Sequence, residues 1–450
     1  MKHRTPLLPP FLVVLMFTAV GCGNTTTDLS DAVPTRNENE PPVIDDTNGL
    51  PVLPVHGYRG GEFTGEPYVG VLPGGEGGLD PDRSVVLTRS DLELSGEQEH
   101  LMVMDAGDLD GDGHTDLIVD AQDGGYIVWG GPQGPVGPAV PLPWLSVDHP
   151  DGMGAISLAV GDMNGDGDTD VAVLDSLMGT PTYEWESTFH HGPFDREGTP
   201  AATEDLPLPD DADDATVRAF DADGDAYEDL LLVRGADESP VSHVVLRSGP
   251  EGPAQEIVGD TAPGHEHVAG DVDGDGSTDL LVGVSGIPNN EPGHDDELHP
   301  GYVDTYLAGE GYLDAEPVRV DRDTEGVPGA AEDGDGFGNG LLVGDVDGDG
   351  IDDVVAMTGP YFDRSTATLL LGGAEGLTGE GGVTVPVPSS DLGNMHHHAL
   401  ADYNGDGHAD LVLSTAERSI YREADAYAVF LGGPDGFADE PDTVFTNEGL

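Results

Sequence analysis

One nine-residue pattern occurs six times in this chain, and each copy runs straight into an apolar segment. The copies are DLDGDGHTD from Asp108, DMNGDGDTD from Asp162, DADGDAYED from Asp221, DVDGDGSTD from Asp271, DVDGDGIDD from Asp345 and DYNGDGHAD from Asp402. Their starts lie 54, 59, 50, 74 and 57 residues apart. The segments that follow, LIV, VAVL, LLLV, LLVGV, VVAM and LVLS, are short and β-favouring, so strands and not helices leave these loops. A period of this length constrains the fold more than any other feature, because each repeat is a unit that buries its apolar face only against its neighbours.

A second marker runs at the same period. Seven segments end a strand in a glycine-containing turn: YVGVLPGGEGGL, YIVWGGPQGP, FHHGPFD, VVLRSGPEGP, TYLAGEGYL, ATLLLGGAEGL and YAVFLGGPDGF. Measured from Gly74, Gly130, Gly192, Gly249, Gly309, Gly372 and Gly432, the steps are 56, 62, 57, 60, 63 and 60 residues. An Asp loop followed by a glycine turn, repeated about every 60 residues, fits a four-stranded propeller blade. The expected fold is all-β, a seven-bladed β-propeller over residues 50–450. The first blade, near 50–95, has a glycine turn but no Asp loop, so a six-bladed ring with an extra hairpin, or an open array, stays open as an alternative. The long step from Asp271 to Asp345 holds a polar insertion, 285–301, which maps to an exposed loop.

The spacing inside the loop carries its chemistry. Acids at positions 1, 3, 5 and 9, with glycines that let the backbone turn tightly, set several hard oxygens around one point, as Ca2+ requires. The expected side-chain ligands are Asp108, Asp110, Asp112 and Asp116; Asp162, Asn164, Asp166 and Asp170; Asp221, Asp223, Asp225 and Asp229; Asp271, Asp273, Asp275 and Asp279; Asp345, Asp347, Asp349 and Asp353; and Asp402, Asn404, Asp406 and Asp410. A backbone carbonyl near position 7 would complete each set. Without a cation, acids packed this closely repel one another and take up protons, so about six Ca2+ ions would act as structural clips. No soft ligands accompany the loops, which disfavours zinc and copper. Position 12 falls inside the apolar runs, as at Val119 and Val173, where an EF-hand needs Glu. The copy at Asp221 has Ala226 in place of glycine and is expected to bind less tightly.

These features together resemble the FG-GAP repeat family, the blades of integrin α-subunit propellers and of many bacterial surface proteins. The best copy is FGNGLLVGDVDGDGIDDVVA, 337–356, with MTGPYF at 357–362 in place of the family's GAP element. The resemblance covers roughly residues 60–447. It implies a seven-bladed ring with calcium in the blade hairpins, and it specifies no ligand.

Acidity excludes one class of partner. The chain has 88 acidic residues against 15 basic ones, a formal net charge of −73, and Lys2 is its only lysine, so nucleic acid is not a partner. Six calcium ions would bring the charge only to −61, so much of the acidity is surface.

The start of the chain reads as an export signal, 1–21. Lys2, His3 and Arg4 precede an apolar stretch, 11–20, too short to span a bilayer. The sequence AVGC at 19–22 resembles a bacterial lipobox, with Ala19 where Leu is usual, and the resemblance implies lipidation of Cys22, the only cysteine. Residues 22–49 then form a polar tether. No later segment is apolar enough to span a membrane, so lipid is the only membrane anchor, and Gly23 after the cysteine points to the outer membrane or cell surface.

The histidine clusters are weak candidates for further metal sites. His396, His397 and His398 alternate faces if they lie in a strand, and His190 and His191 share that constraint. The group His294, Asp295, Asp296, Glu297 and His299 is the best of these weak candidates. No GxSxG, HExxH or phosphate-binding loop occurs. The function expected is a non-enzymatic, monomeric, calcium-binding surface propeller for an unidentified protein or glycan. The rivals are a propeller enzyme acting on extracellular polysaccharide or lipid, and a passive structural lipoprotein.

Overall fold

A computed structural model describes residues 50–59, 66–94, 101–121, 124–145, 154–177, 187–208, 215–222, 225–234, 242–254, 266–286, 300–308, 315–358, 366–385, 398–415 and 426–445. Cys22, the tether, Asp223, His396, His397 and the His294 group lie outside the described residues. Among the described residues no helix is long and apolar enough to cross a membrane.

The strands form seven separate antiparallel sheets, spanning 52–88, 102–142, 154–205, 215–246, 266–321, 340–385 and 399–445. The sixth shows the plan. Strands Gly340–Gly344, Asp353–Thr358, Thr366–Leu370 and Val383–Val385 pair in chain order, each with the next. Blades 2, 3, 5 and 7 repeat this order, and blade 4 shows its first three strands. The first strands of blades 2 and 3, 3 and 4, 5 and 6, and 6 and 7 approach one another, on the side of each blade nearest the ring axis.

The core is divided as the repeat demands. Buried apolar residues fall into seven clusters, and each cluster is shared by two adjacent blades. Leu174 and Phe189 of blade 3 pack with Leu230 and Leu232 of blade 4, and Val355 and Leu369 of blade 6 pack with Leu411 and Phe430 of blade 7. The seventh cluster closes the ring: Leu53, Val55, Tyr68 and Leu72 of blade 1 pack against Tyr403, Val412, Tyr427 and Val429 of blade 7. Seven interfaces for seven blades is a closed ring, so the open array and the six-bladed alternative both fall. Truncating a fully buried leucine or phenylalanine here would cost about 2–5 kcal/mol, and the loss would fall on a pair of blades.

Blade 1 departs from the plan in a definite way. Its strand Glu66–Gly75 ends in Gly74-Gly75, as third strands do elsewhere, and pairs on one side with Val52–Arg59 and on the other with Val85–Thr88. Val52–Arg59 therefore occupies the place of a second strand. Among its described residues blade 1 has no Asp loop.

Candidate metal centres in the blade hairpins

In all six repeats the ninth residue of the loop, Asp116, Asp170, Asp229, Asp279, Asp353 or Asp410, is the first residue of the blade's second strand. Local hydrogen bonds explain the turn before it. The first aspartate accepts N–H groups from positions 5 and 6 on its two oxygens, as Asp345 does from Asp349 at 3.1 Å and from Gly350 at 2.9 Å. Position 3 also accepts from position 5, and position 5 accepts from position 7, as between Ile351 and Asp349 at 2.9 Å. Glycine at position 6 is required by backbone geometry: Gly113, Gly167, Gly276, Gly350 and Gly407 have φ between 86° and 91°. Ala226 holds the same place at φ 70°, a left-handed conformation that strains any residue with a Cβ.

The ninth aspartate does a job that sequence reading missed. One of its oxygens accepts the N–H at the glycine turn, from Gly130 at 2.6 Å, Gly192 at 2.9 Å, Ser248 at 2.6 Å, Ala308 at 2.7 Å, Gly372 at 3.0 Å and Gly432 at 3.0 Å. In the first five repeats the other oxygen accepts the N–H of loop position 2, as from Val346 to Asp353 at 3.0 Å. The two periodic markers are thus two ends of one hydrogen-bonded device, and their constant phase was the signal available for it.

Among the described residues, three loops bring carboxylate oxygens of positions 1, 3 and 9 within 4.8 Å of one another: Asp108, Asp110 and Asp116; Asp271, Asp273 and Asp279; and Asp345, Asp347 and Asp353. Ligands bound at about 2.3–2.6 Å to one Ca2+ lie no further apart than about 5 Å, so these sets fit that ion. Asp112, Asp275 and Asp349, at position 5, stand outside the three sets and instead take the position 7 N–H. Asn164 and Asn404 occupy position 3 in two further loops and accept the N–H of Asp166 and Asp406 at 2.9 and 2.8 Å. The loop at Asp221 keeps the position 1, 5 and 9 pattern among its described residues.

Electrostatics mark the same residues. Burial, partly opposed by the backbone N–H bonds and reinforced by neighbouring loop acids, pushes the carboxyl of Asp116 up to about 8. Burial likewise raises Asp170, Asp279, Asp353 and Asp410 to about 7. Asp108, Asp110, Asp162, Asp273 and Asp347 are also raised, again chiefly by burial. A cation among them would remove this penalty.

The loops also touch one another around the ring. The Asp352 N–H donates to the Asp271 carbonyl at 2.9 Å, and the Ala409 N–H to the Asp345 carbonyl at 2.7 Å. Gly373 and Gly433, at the glycine turns of blades 6 and 7, donate to the carbonyls of Val272 and Val346 in the preceding blade. Arg196, just after the turn of blade 3, reaches back to Asp110 and Asp112 of blade 2 at 2.5 Å each and lies 4.9 Å over the Trp129 ring. The Asn164 amide nitrogen contacts His191 Nδ1 at 3.2 Å. Neither Arg196 nor His191 was legible as a loop partner, because Arg196 comes from the neighbouring blade and His191 from the third strand of the same blade, 27 residues beyond Asn164. His190 is buried between Thr188 and Thr203 against Trp144, and burial lowers it to about 4, so it is a neutral core residue.

Two stretches, 108–173 and 345–413, match the FG-GAP-like repeat. This chain carries FG-GAP-like repeats. No curated protein matches it. Similar solved structures include an Agrocybe aegerita lectin that recognises non-reducing terminal N-acetylglucosamine, at 14% identity and TM-score 0.46, covering 88% of this chain and 90% of that one. The V. cholerae biofilm matrix protein Bap1 is 12% identical at TM-score 0.36, covering 89% of each chain. The Bacillus licheniformis rhamnogalacturonan lyase is 11% identical at TM-score 0.35, covering 90% of this chain and 70% of that one.

Proposed function

We propose that this chain is a calcium-clipped, non-enzymatic propeller that presents a face of its ring to a protein or glycan. The observation that carries the reading is the convergence of three carboxylates within 4.8 Å in each of three loops, with the ninth aspartate of each set buried at the start of a strand. Buried carboxylates are retained at a cost unless something pairs with them. With calcium bound, Asp108, Asp110 and Asp116 and their counterparts would supply hard oxygens to an ion that neutralises them and ties the loop to the glycine turn. The weaker sets, with Asn164 and Asn404, would offer one amide oxygen in place of a carboxylate. Residues 1–21 would direct export, and a lipid on Cys22 with the tether to 49 would hold the ring at the outer membrane or cell surface as a monomer.

Calorimetric titration of the metal-free chain with calcium tests this. At least three ions binding with dissociation constants at or below about 10⁻³ M are expected, the range of extracellular calcium modules. An absence of calcium uptake would overturn the reading.

A further inference from the structure

A second site lies at the opposite end of the strands, away from the Asp loops. A cavity of about 290 Å³ opens in blade 5 beside Tyr302, Arg319, Asp321, Arg322, Asp323 and Ala331. Its walls are fixed by register. Tyr302 pairs with Asp321 and Asp304 with Arg319 across the third and fourth strands. Arg319 grips the buried Asp304 with two parallel bonds of 2.6 Å and lies 3.5 Å over the Tyr302 ring. Two of its five N–H donors are used by Asp304, and about half of its side chain is open to solvent. Beneath, Arg322 is anchored by the Pro328 carbonyl, by Thr358 at 2.9 Å and over the Phe337 ring at 5.0 Å. Its Nε has no hydrogen-bond acceptor, and the nearest carboxylate, Asp335, is at 3.9 Å. Asp321 is tied by Thr324 and by the Asp323 N–H on a single oxygen, at 3.0 and 2.9 Å.

Charge decides what such a cavity takes. Two guanidinium groups face Asp304, Asp321, Asp323 and Asp335, so no net positive charge is left to attract an anion. What remains is a rigid wall that offers guanidinium donors beside carboxylate acceptors in a small space. Vicinal hydroxyls need that pairing, since each both donates and accepts. The volume is at the lower end of ligand pockets, which run from about 300 to 1,000 Å³, and suits one sugar ring. We infer that this cavity is a subsite for a single neutral monosaccharide unit of a glycan. The inference narrows the display reading above to glycan, and it uses none of the loop aspartates.

The test is saturation-transfer NMR and calorimetry on the full chain in calcium, with methyl glycosides of glucose, galactose, mannose and N-acetylglucosamine, and glucuronate as anionic comparator. Ala331→Trp fills the cavity while keeping Arg319, Arg322 and their hydrogen-bond partners in the sequence, and Asp323→Ala removes one acceptor at the rim. At least one neutral glycoside is expected to bind in the millimolar range or tighter, weakened tenfold or more by both variants at unchanged melting temperature. Glucuronate alone binding, no glycoside binding, or binding that Ala331→Trp leaves intact would overturn the subsite. Calcium uptake measured on the same sample separates that failure from failure of the calcium reading.

Discussion

Blade 1 and blade 6 solve one local problem with different groups. In blade 6 the N–H of Gly372 is capped by the Asp353 carboxylate at 3.0 Å, whereas in blade 1 the N–H of Gly74 is capped by the Pro51 carbonyl at 2.8 Å. Both blades then pack into the ring with fully buried cores. A neutral carbonyl therefore suffices to dock a glycine turn, and a propeller blade of this chain holds its place without a carboxylate at that point. The six aspartates at the ninth position are not needed for the turn as such. Their burial, which raises five of them to about 7–8, is a cost that the first blade avoids. The proposed calcium role accounts for that difference, since the acids would then be kept for an ion and not for the turn.

Removing calcium is the strongest way to break this comparison. Each site at a hundred times its dissociation constant contributes about 2.7 kcal/mol, so chelation should remove several kcal/mol and lower the melting temperature. Hydrogen exchange after chelation is expected to show protection lost at the loops from Asp108, Asp271 and Asp345, while Gly74 keeps its own. Equal losses in blade 1 would remove the contrast.

A smaller effect, and one of opposite sign, is expected from pH on the metal-free chain. Carboxyls raised from 3.8 to about 7–8 bind more protons folded than unfolded, so stability falls as pH rises from about 4 to about 8. Chemical denaturation without calcium should give greater stability at pH 5 than at pH 8, by a few kcal/mol in total, and millimolar calcium should abolish or reverse the trend.

Asp353→Asn sharpens the comparison at a single residue. It keeps one acceptor for Gly372 but loses the charge. Calcium affinity at that loop should fall at least tenfold in a titration, while melting at pH 8 without calcium should be unchanged or raised by about 1 kcal/mol. A variant equally destabilised with and without calcium would assign Asp353 to the turn alone.

The smallest effect compares the third loop with its five counterparts. Ala226→Gly relieves a left-handed conformation that costs about 1–2 kcal/mol, offset in part by the greater entropy of unfolded glycine. A net gain of about 1 kcal/mol is expected in denaturant unfolding. The reverse change, Gly350→Ala, should lose a similar amount, since a Cβ there meets no atom within 4 Å and only the backbone resists.

Much of the molecule was legible because a repeat states its architecture many times over. Seven glycine turns gave seven blades, and the apolar runs gave second strands that start at Asp116, Asp170, Asp229, Asp279, Asp353 and Asp410. In three loops the carboxylates at positions 1, 3 and 9 gather, while position 5, which the spacing also offered as a ligand, takes the position 7 N–H instead; a nine-residue turn is a local object whose glycines leave the backbone few paths. The sequence by itself determined the period, the start of each second strand and the placing of the loop acids, all of which act over a few residues. Only the tertiary structure decided that blade 1 closes on blade 7, that a carbonyl replaces a carboxylate at Gly74, that Arg196 reaches the loop of the neighbouring blade, and that Tyr302, Arg319 and Arg322 wall one cavity. Those contacts join residues that are far apart in the chain or belong to different blades, and no local spacing encodes them. They depend on how each blade's twist and its shared apolar cluster set one sheet against the next.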